Sequence, residues 1–312
     1  MARKLRVEYP GAIYHVMNRG DRREPIFLDD ADRVRFVQTL GEACVKTDWQ
    51  LHAWCLMENH FHLVLETPTA NLVAGMKWFL TTYTSRFNRR HKLFGHLFSG
   101  RYKALIVDGS GNGYLKTVCD YVHLNPVRAG LLTPDQPLSD YQWSSFPEYL
   151  KAPGKRPPWL RVDRLLGEMG IPQDTTAGRR QLELRTEERR AQETGGDWKE
   201  LRRGWCLGDA TFREQLLQMM DGRMGEHHYG AQRQESAQDK AERLVQAALQ
   251  QAQWTEQDLR LRPKSDGIKI DLAAQLRQET TMTLKWIAHR LHMGTWTYLN
   301  KRLYEHRKQE RQ

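Results

Sequence analysis

The sequence predicts an α+β protein, with an antiparallel sheet domain over residues 1–150 followed by an all-α region that reaches residue 312. Two observations predict it. In the first 150 residues, short strand-like stretches alternate with longer stretches of helical period, and after residue 134 the texture changes. Beyond that point a Pro- and Gly-rich linker gives way to charged segments that read as helices.

Taken in order, residues 12–18 (Ala-Ile-Tyr-His-Val-Met-Asn) read as the first strand, ending at Arg19-Gly20. Asp29 and Asp30 are N-cap candidates for a helix to Lys46, with Val34, Val37, Leu40 and Val45 spaced for one apolar face. Residues 49–57 and 60–65 read as two strands joined at Glu58-Asn59, a hairpin-like arrangement. Residues 71–90 carry a helical period through Leu72, Met76, Phe79, Leu80 and Tyr83, and residues 101–107 read as the fourth strand. Gly109, Gly111 and Gly113 punctuate a loop before a helix from Tyr114 to about Leu124. The order βαββαβ plus a helix predicts a four-stranded ferredoxin-like sheet.

Residues 151–233 read as a charged helical linker region. It holds a linker at 153–158, a charged helix over 178–203 broken at Gly195-Gly196, a short helix over 209–220 and a loop over 222–230. Residues 234–312 form the last helical block. Within it Leu284, Ile287, Ala288 and Leu291 mark one helix face, Met293-Gly294-Thr295 a tight turn, and Leu299 with Leu303 a second helix. That spacing predicts a helix-turn-helix, resembling the DNA-binding domains of replication initiators. Lys301, Arg302, Arg307 and Lys308 lie on or just after its second helix, and Thr295, Thr297 and Asn300 are available for base or phosphate contact.

Charge points to a polyanionic partner. The 312 residues carry 48 Lys and Arg against 38 Asp and Glu, a formal net charge of +10. Its placement says more. From residue 67 to 107 there is no Asp or Glu, but there are Lys77, Arg86, Arg89, Arg90, Lys92, Arg101 and Lys103, interleaved with Trp78, Phe79, Tyr83, Phe87, Phe94, Phe98 and Tyr102. Basic residues for phosphates and aromatics for bases suit single-stranded nucleic acid, although an amphipathic helix with a solvated basic face has the same pattern. A mean hydropathy of -0.73 and the lack of any apolar run near 18 residues argue against a membrane protein. No apolar stretch follows the basic start, and Cys44, Cys55, Cys119 and Cys206 lie far apart. The expectation is therefore a cytoplasmic protein with reduced thiols.

Two groups of residues carry chemistry. In Glu58-Asn59-His60-Phe61-His62, the histidines stand two apart on a predicted strand, so both project from one face and can converge on a divalent cation while Phe61 points into the core. Two ordinary exposed histidines would look the same. Glu66 shares that face as a candidate third ligand. In Tyr121-Val122-His123-Leu124-Asn125-Pro126, Tyr121 and Asn125 are i and i+4 on a predicted helix, although a residue before proline avoids helical geometry. A tyrosine phenol titrates near 10, so as a nucleophile it needs a polarised phosphate, which a bound metal supplies. The alternative is a packed tyrosine with its hydroxyl at the rim.

Read together, Tyr14-His15-Val16-Met17-Asn18-Arg19-Gly20, His60-Phe61-His62 and residues 120–130 (Asp-Tyr-Val-His-Leu-Asn-Pro-Val-Arg-Ala-Gly) resemble the single-tyrosine HUH transposases, and more narrowly the REP-associated tyrosine transposases. The resemblance covers about residues 1–150 and implies roles for some of the matched positions. His60 and His62 would hold a divalent metal ion (Mg or Mn), with Asn125 as third ligand and Tyr121 as nucleophile. The implied activity is metal-dependent nicking and strand transfer of single-stranded DNA beside a hairpin, through a 5′-phosphotyrosine and a free 3′-hydroxyl. Arg19, Arg86, Arg89, Arg90, Arg101, Lys103 and Arg128, with Lys301 and Arg302 in the C-terminal block, are the candidate DNA contacts. A homodimer is one assembly the sequence allows, and nothing in the sequence selects an oligomeric state. The rivals are a non-catalytic nucleic-acid-binding regulator and a nuclease that uses water.

Overall fold

The structure is a computed structural model and describes residues 7–192, 198, 201, 204–221 and 231–309. The chain separates into two compact units, one holding the sheet and most of the chain up to residue 228, the other holding residues from 229 on together with 45–47 and 71–78.

From the N-terminal side, β1 (Ala12–Arg19), α1 (Asp30–Thr47), β2 (Gln50–Leu56), β3 (His60–Thr67), α2 (Leu72–His91), β4 (Lys103–Val107) and α3 (Tyr114–His123) follow one another in the predicted order, all in the first unit but for the end of α1 and the start of α2. The strands lie as β2-β3-β1-β4, each antiparallel to its neighbour, which is the ferredoxin-like arrangement. A short fifth strand, β5 (Cys206–Leu207), adds to β4 in parallel. It comes from the region that composition marked as linker.

Strand register divides the sheet into two chemically distinct faces. Tyr14 opposes Leu65, Val16 opposes Leu63 and Asn18 opposes Phe61, and α1 and α2 cover this side: the Phe61 ring is 5.0 Å from Phe36 of α1 and 6.2 Å from Phe79 of α2. The other face carries Met17 opposite His62 and Arg19 opposite His60. This is the face that the His-x-His alternation requires.

Helix α1 begins where expected, with the Asp29 side chain accepting from the Asp32 backbone N–H at 3.0 Å. Its buried face differs from the predicted one. Of the predicted face Leu40 is fully buried, but Val34 and Val45 are 46% and 54% exposed, and Phe36 and Ala43 are fully buried in their place. Phe36 decides the orientation, because its ring lies 4.9 Å from both Phe79 and Tyr83, and an aromatic cluster buries more area than a valine stripe.

The stretch expected as a linker, 153–158, lies inside the first unit. It returns the chain to the open edge of β2, where the Leu51 N–H donates to the Trp159 carbonyl at 3.0 Å and the Arg161 N–H donates to the Leu51 carbonyl at 2.7 Å. Between α3 and this edge lie α4 (Asn125–Arg128) and α5 (Phe146–Leu150), and after it come α6 (Asp163–Glu168), α7 (Thr176–Ala191) and α8 (Ala210–Asp221). The predicted break at Gly195-Gly196 and the loop over 222–230 lie outside the described residues.

The second unit contains α9 (Ala231–Ala252), α10 (Glu256–Leu261), α11 (Gly267–Glu279), α12 (Leu284–Arg290) and α13 (Trp296–Gln309). Ile287, Ala288, Leu291, Leu299 and Leu303 are buried in one core with Val245, Leu249, Leu272 and Leu276. Thr283 caps α12, and Gly294, at φ 84, turns the chain into α13. No helix among the described residues is long and apolar enough to cross a membrane.

Candidate active site

The site is built on the histidine face of the sheet and completed by α3. Helix α3 is fixed to the sheet through His123, whose Nε2 lies 2.8 Å from Ser145 Oγ, and that hydroxyl also accepts from the Trp54 N–H of β2 at 2.9 Å. Leu115, Val118 and Val122 pack inward from the same helix. Anchored this way, α3 lays Tyr121 over the histidines: its ring centroid is 5.6 Å from that of His62 and 5.5 Å from that of His15.

Pro126 does not separate Tyr121 from Asn125. The chain leaves α3 at His123 and restarts as α4 with Pro126 in its first turn, where a missing N–H costs nothing. Asn125 Nδ2 donates to the Tyr121 carbonyl at 3.1 Å, leaving Oδ1 as the atom this side chain could offer to a cation. Arg128 donates to the same carbonyl and sets its guanidinium 4.4 Å from the Tyr121 ring centroid.

Hydrogen bonds orient both imidazoles. His60 Nδ1 lies 2.8 Å from Asn59 Oδ1; a carbonyl oxygen only accepts, so Nδ1 carries the proton and Nε2 keeps its lone pair. His62 Nδ1 lies 2.9 Å from His15 Nε2, with the two rings stacked at 5.1 Å. For His62 to offer Nε2 to a metal, its Nδ1–H must donate to His15 Nε2, so His15 acts as the acceptor that selects the tautomer. The His60 and His62 centroids are 5.1 Å apart. Burial holds all three imidazoles neutral. It lowers His15 to about 4, aided by Arg128, and His60 to about 4, aided by Arg19. His62 falls well below the ordinary range through burial and the neighbouring His15 and His60.

Among the described residues, no three His, Cys, Asp or Glu side chains converge for a metal ion. The donor set is therefore two neutral imidazoles on one face of the sheet, each with Nδ1 engaged and Nε2 left as the donor atom. That set fits a divalent cation only when amide oxygen, substrate or water completes the shell. Glu66 is committed elsewhere. It lies 2.7 Å from Arg164, 3.2 Å from Arg161 and 3.2 Å from His52, and although burial opposes it, the His52 and Arg164 bonds hold its carboxyl down to about 2.

Two members of the site were not foreseen. His15 is 3% exposed and touches both His62 and Tyr121; the same alternation that selects His60 and His62 puts it on their face once β1 is registered against β3. Trp198 lies 5.3 Å from the Tyr121 ring and 5.1 Å from the Arg128 guanidinium, and no local pattern announces it. Under this cover Tyr121 is 6% exposed.

The expected DNA contacts divide. Arg86 donates to Thr39 Oγ1 at 2.7 Å and pairs with Glu42 at 2.8 Å, and Arg90 pairs with Asp29 and Asp32, both at 2.5 Å. Arg89, Arg101 and Lys103 are exposed, and Arg19 sits beside His60 in the strand pairing. In the second unit Lys301 is exposed, while Arg302 pairs with Glu305 at 2.9 Å.

Residues 8–125 match the IS200-like transposase family. This IS200-like segment contains His15, His60, His62, Tyr121 and Asn125, and it ends before Arg128 and Trp198. A solved structure described as that of the REP-associated tyrosine transposase bound to a REP hairpin is similar at 16% identity and a TM-score of 0.40, over 53% of this chain and 93% of that one. No curated protein matches the chain.

Proposed function

We propose that this chain is a tyrosine-dependent, metal-assisted DNA strand transferase acting on single-stranded DNA next to a hairpin. The observation that carries the reading is the packing of Tyr121 against His62 at 5.6 Å, on the sheet face that also carries His60, with the Nδ1 of each histidine engaged by a neighbour.

The reaction exchanges one phosphodiester for another. Tyr121 Oη attacks the phosphorus and loses its proton, the P–O3′ bond breaks, and the leaving 3′-oxygen takes up a proton. The products are a 5′-phosphotyrosine and a 3′-hydroxyl. In the reverse sense a 3′-hydroxyl attacks the same phosphorus and Tyr121 leaves, so no external energy source is needed. A divalent cation, when bound, neutralises phosphate charge as the pentacovalent state forms. His60 and His62 would hold it, with Asn125 Oδ1 as a further donor. Arg128 fixes the Tyr121 backbone and ring, and its charge beside that ring favours an approaching phosphate. In the second unit, α12 and α13 are read as a helix-turn-helix that grips the hairpin stem. Mixing the protein with Mn and a labelled hairpin with a single-stranded tail tests the reading. A covalent protein–DNA adduct on a denaturing gel is expected, and free cleaved ends without adduct would select hydrolysis.

The second reading is a non-catalytic DNA-binding regulator. The near-complete burial of Tyr121, with Trp198 against its ring, favours it, because strand transfer requires the Tyr121 hydroxyl to be open to a phosphate. Stable binding of the same hairpin with neither adduct nor cleavage would select this reading.

A further inference from the structure

The stretch without acids from 67 to 107 holds a surface that the active site does not use. Ion pairs with α1 absorb Arg86 and Arg90. Arg89, Lys92, Arg101 and Lys103 are exposed and carry no ion pair among the described residues. In their midst Phe94 is 98% exposed, next to Leu93 at 48%, although every other phenylalanine in this stretch is buried.

This exposure is built into the loop. The Leu93 N–H donates to the Asn88 carbonyl at 2.9 Å, and Asn88 Nδ2 donates to the Gly95 carbonyl at 3.0 Å, which clamps the tip from both sides. Lys92 and Gly95 take left-handed backbone conformations, at φ 55 and 96, and reverse the chain around residues 93 and 94. Three residues further on, the Asp21 N–H donates to the Leu97 carbonyl and the Ser99 N–H to the Arg19 carbonyl, both at 2.9 Å, while Gly20 bridges Phe98. A Cβ on Gly20 would stand 2.0 Å from the Glu24 carbonyl oxygen, so only glycine fits at this junction. Arg19 is paired with His60. The tip therefore stands at the end of the sheet that carries the outer metal-ligand candidate.

We propose that the Phe94 ring is a stacking platform for an unpaired base of the DNA strand entering the site, with Arg89, Lys92, Arg101 and Lys103 contacting its phosphates. This rests on the single-stranded DNA reading above and adds a base-binding subsite to it. A phenyl ring accepts any base on its π-face, so the subsite holds a strand without reading its sequence, and surrounding cations supply the salt-dependent part of the affinity.

The experiment uses the full chain and a hairpin oligonucleotide whose single-stranded tail carries 2-aminopurine, read by anisotropy and by base fluorescence across a salt series. Phe94→Ala should weaken tail binding about fivefold to a hundredfold, relieve the quenching of 2-aminopurine, and leave the salt slope unchanged. Phe94→Trp should restore both affinity and quenching. The pair Lys92→Gln and Lys103→Gln should instead reduce the salt slope, by roughly 0.7 for each single-strand phosphate that is no longer neutralised. Phe94→Ala with affinity within about twofold of wild type and unchanged fluorescence would overturn the subsite while leaving the strand-transfer reading intact. A wild-type protein that binds no single-stranded tail would overturn both.

Discussion

His15 offers the sharpest probe of how the site works. Replacing it with phenylalanine keeps an aromatic ring, somewhat larger, but removes the nitrogen that lies 2.9 Å from His62 Nδ1. Both partners are almost wholly buried, at 3% and 2% exposure, so no water readily replaces the missing acceptor. A buried donor left unsatisfied costs about 1–3 kcal/mol, and loss of an outer partner to a metal-ligating histidine commonly lowers metal affinity about 10- to 100-fold. The two figures agree, because about 1.4 kcal/mol corresponds to a factor of ten. Calorimetric titration of Mn into the metal-free protein, with adduct rates followed over the same range, should show the metal midpoint rising about 10- to 100-fold. Adduct formation at saturating Mn should fall less. His15→Gln places an acceptor near the old Nε2 and should recover much of the affinity. A His15→Phe protein that melts earlier yet keeps its metal midpoint within about twofold would refute the positioning argument and leave His15 a packing residue.

Further outcomes follow from other parts of the structure. Tyr121→Phe should abolish the adduct and leave hairpin affinity within about twofold on an anisotropy assay, since only the attacking oxygen is removed. Arg90→Ala removes the guanidinium paired with Asp32, whose side chain is 1% exposed and keeps His91 and the Leu28 N–H as partners, so it should lower the melting temperature modestly without changing the salt slope of DNA binding, whereas Arg89→Ala should do the reverse. Acid should destabilise the fold. His15 and His60 titrate near 4 and His123 near 3, all below the unfolded value of 6.5, so the unfolded chain takes up protons first. The stability from these groups is complete above about pH 6.5 and is lost progressively as pH falls from there through 4 to about 3, which a pH series of thermal melts would record. Lys301→Gln with Lys308→Gln should reduce the salt slope on duplex stems by roughly 0.9 for each phosphate no longer neutralised and leave single-stranded tails unaffected. An unchanged stem slope would remove the helix-turn-helix from the account.

The parts of the fold that were legible in the sequence are those set by local periodicity. The four strands, the two helices over Phe61 and the helix carrying Tyr121 each have a pattern contained within one segment, and the His-x-His alternation places His60 and His62 on one face before any pairing is known. What stayed hidden depends on long-range partners. The acids that absorb Arg86 and Arg90 come from α1, outside the acid-free stretch, so composition overstated the free positive surface. His15 joins the site only through strand pairing, and Trp198 only through a segment distant in sequence. The prolines of 153–158 have the composition of a linker, yet they turn the chain back onto the β2 edge. Phe36 overrode the valine spacing of α1 because its neighbours on the same side of the sheet, Phe61, Phe79 and Tyr83, are aromatic.

The central claim is that Tyr121 oxygen becomes bonded to the 5′-phosphate of the cut strand. Tandem mass spectrometry of the adduct, formed with Mn on a hairpin substrate and digested with nuclease and protease, locates that bond directly. A nucleotide phosphate on the peptide containing Tyr121, together with a free 3′-hydroxyl on the released strand, is the predicted result. A phosphate on Tyr102 or Tyr114, or cleavage products with no modified peptide, would contradict it.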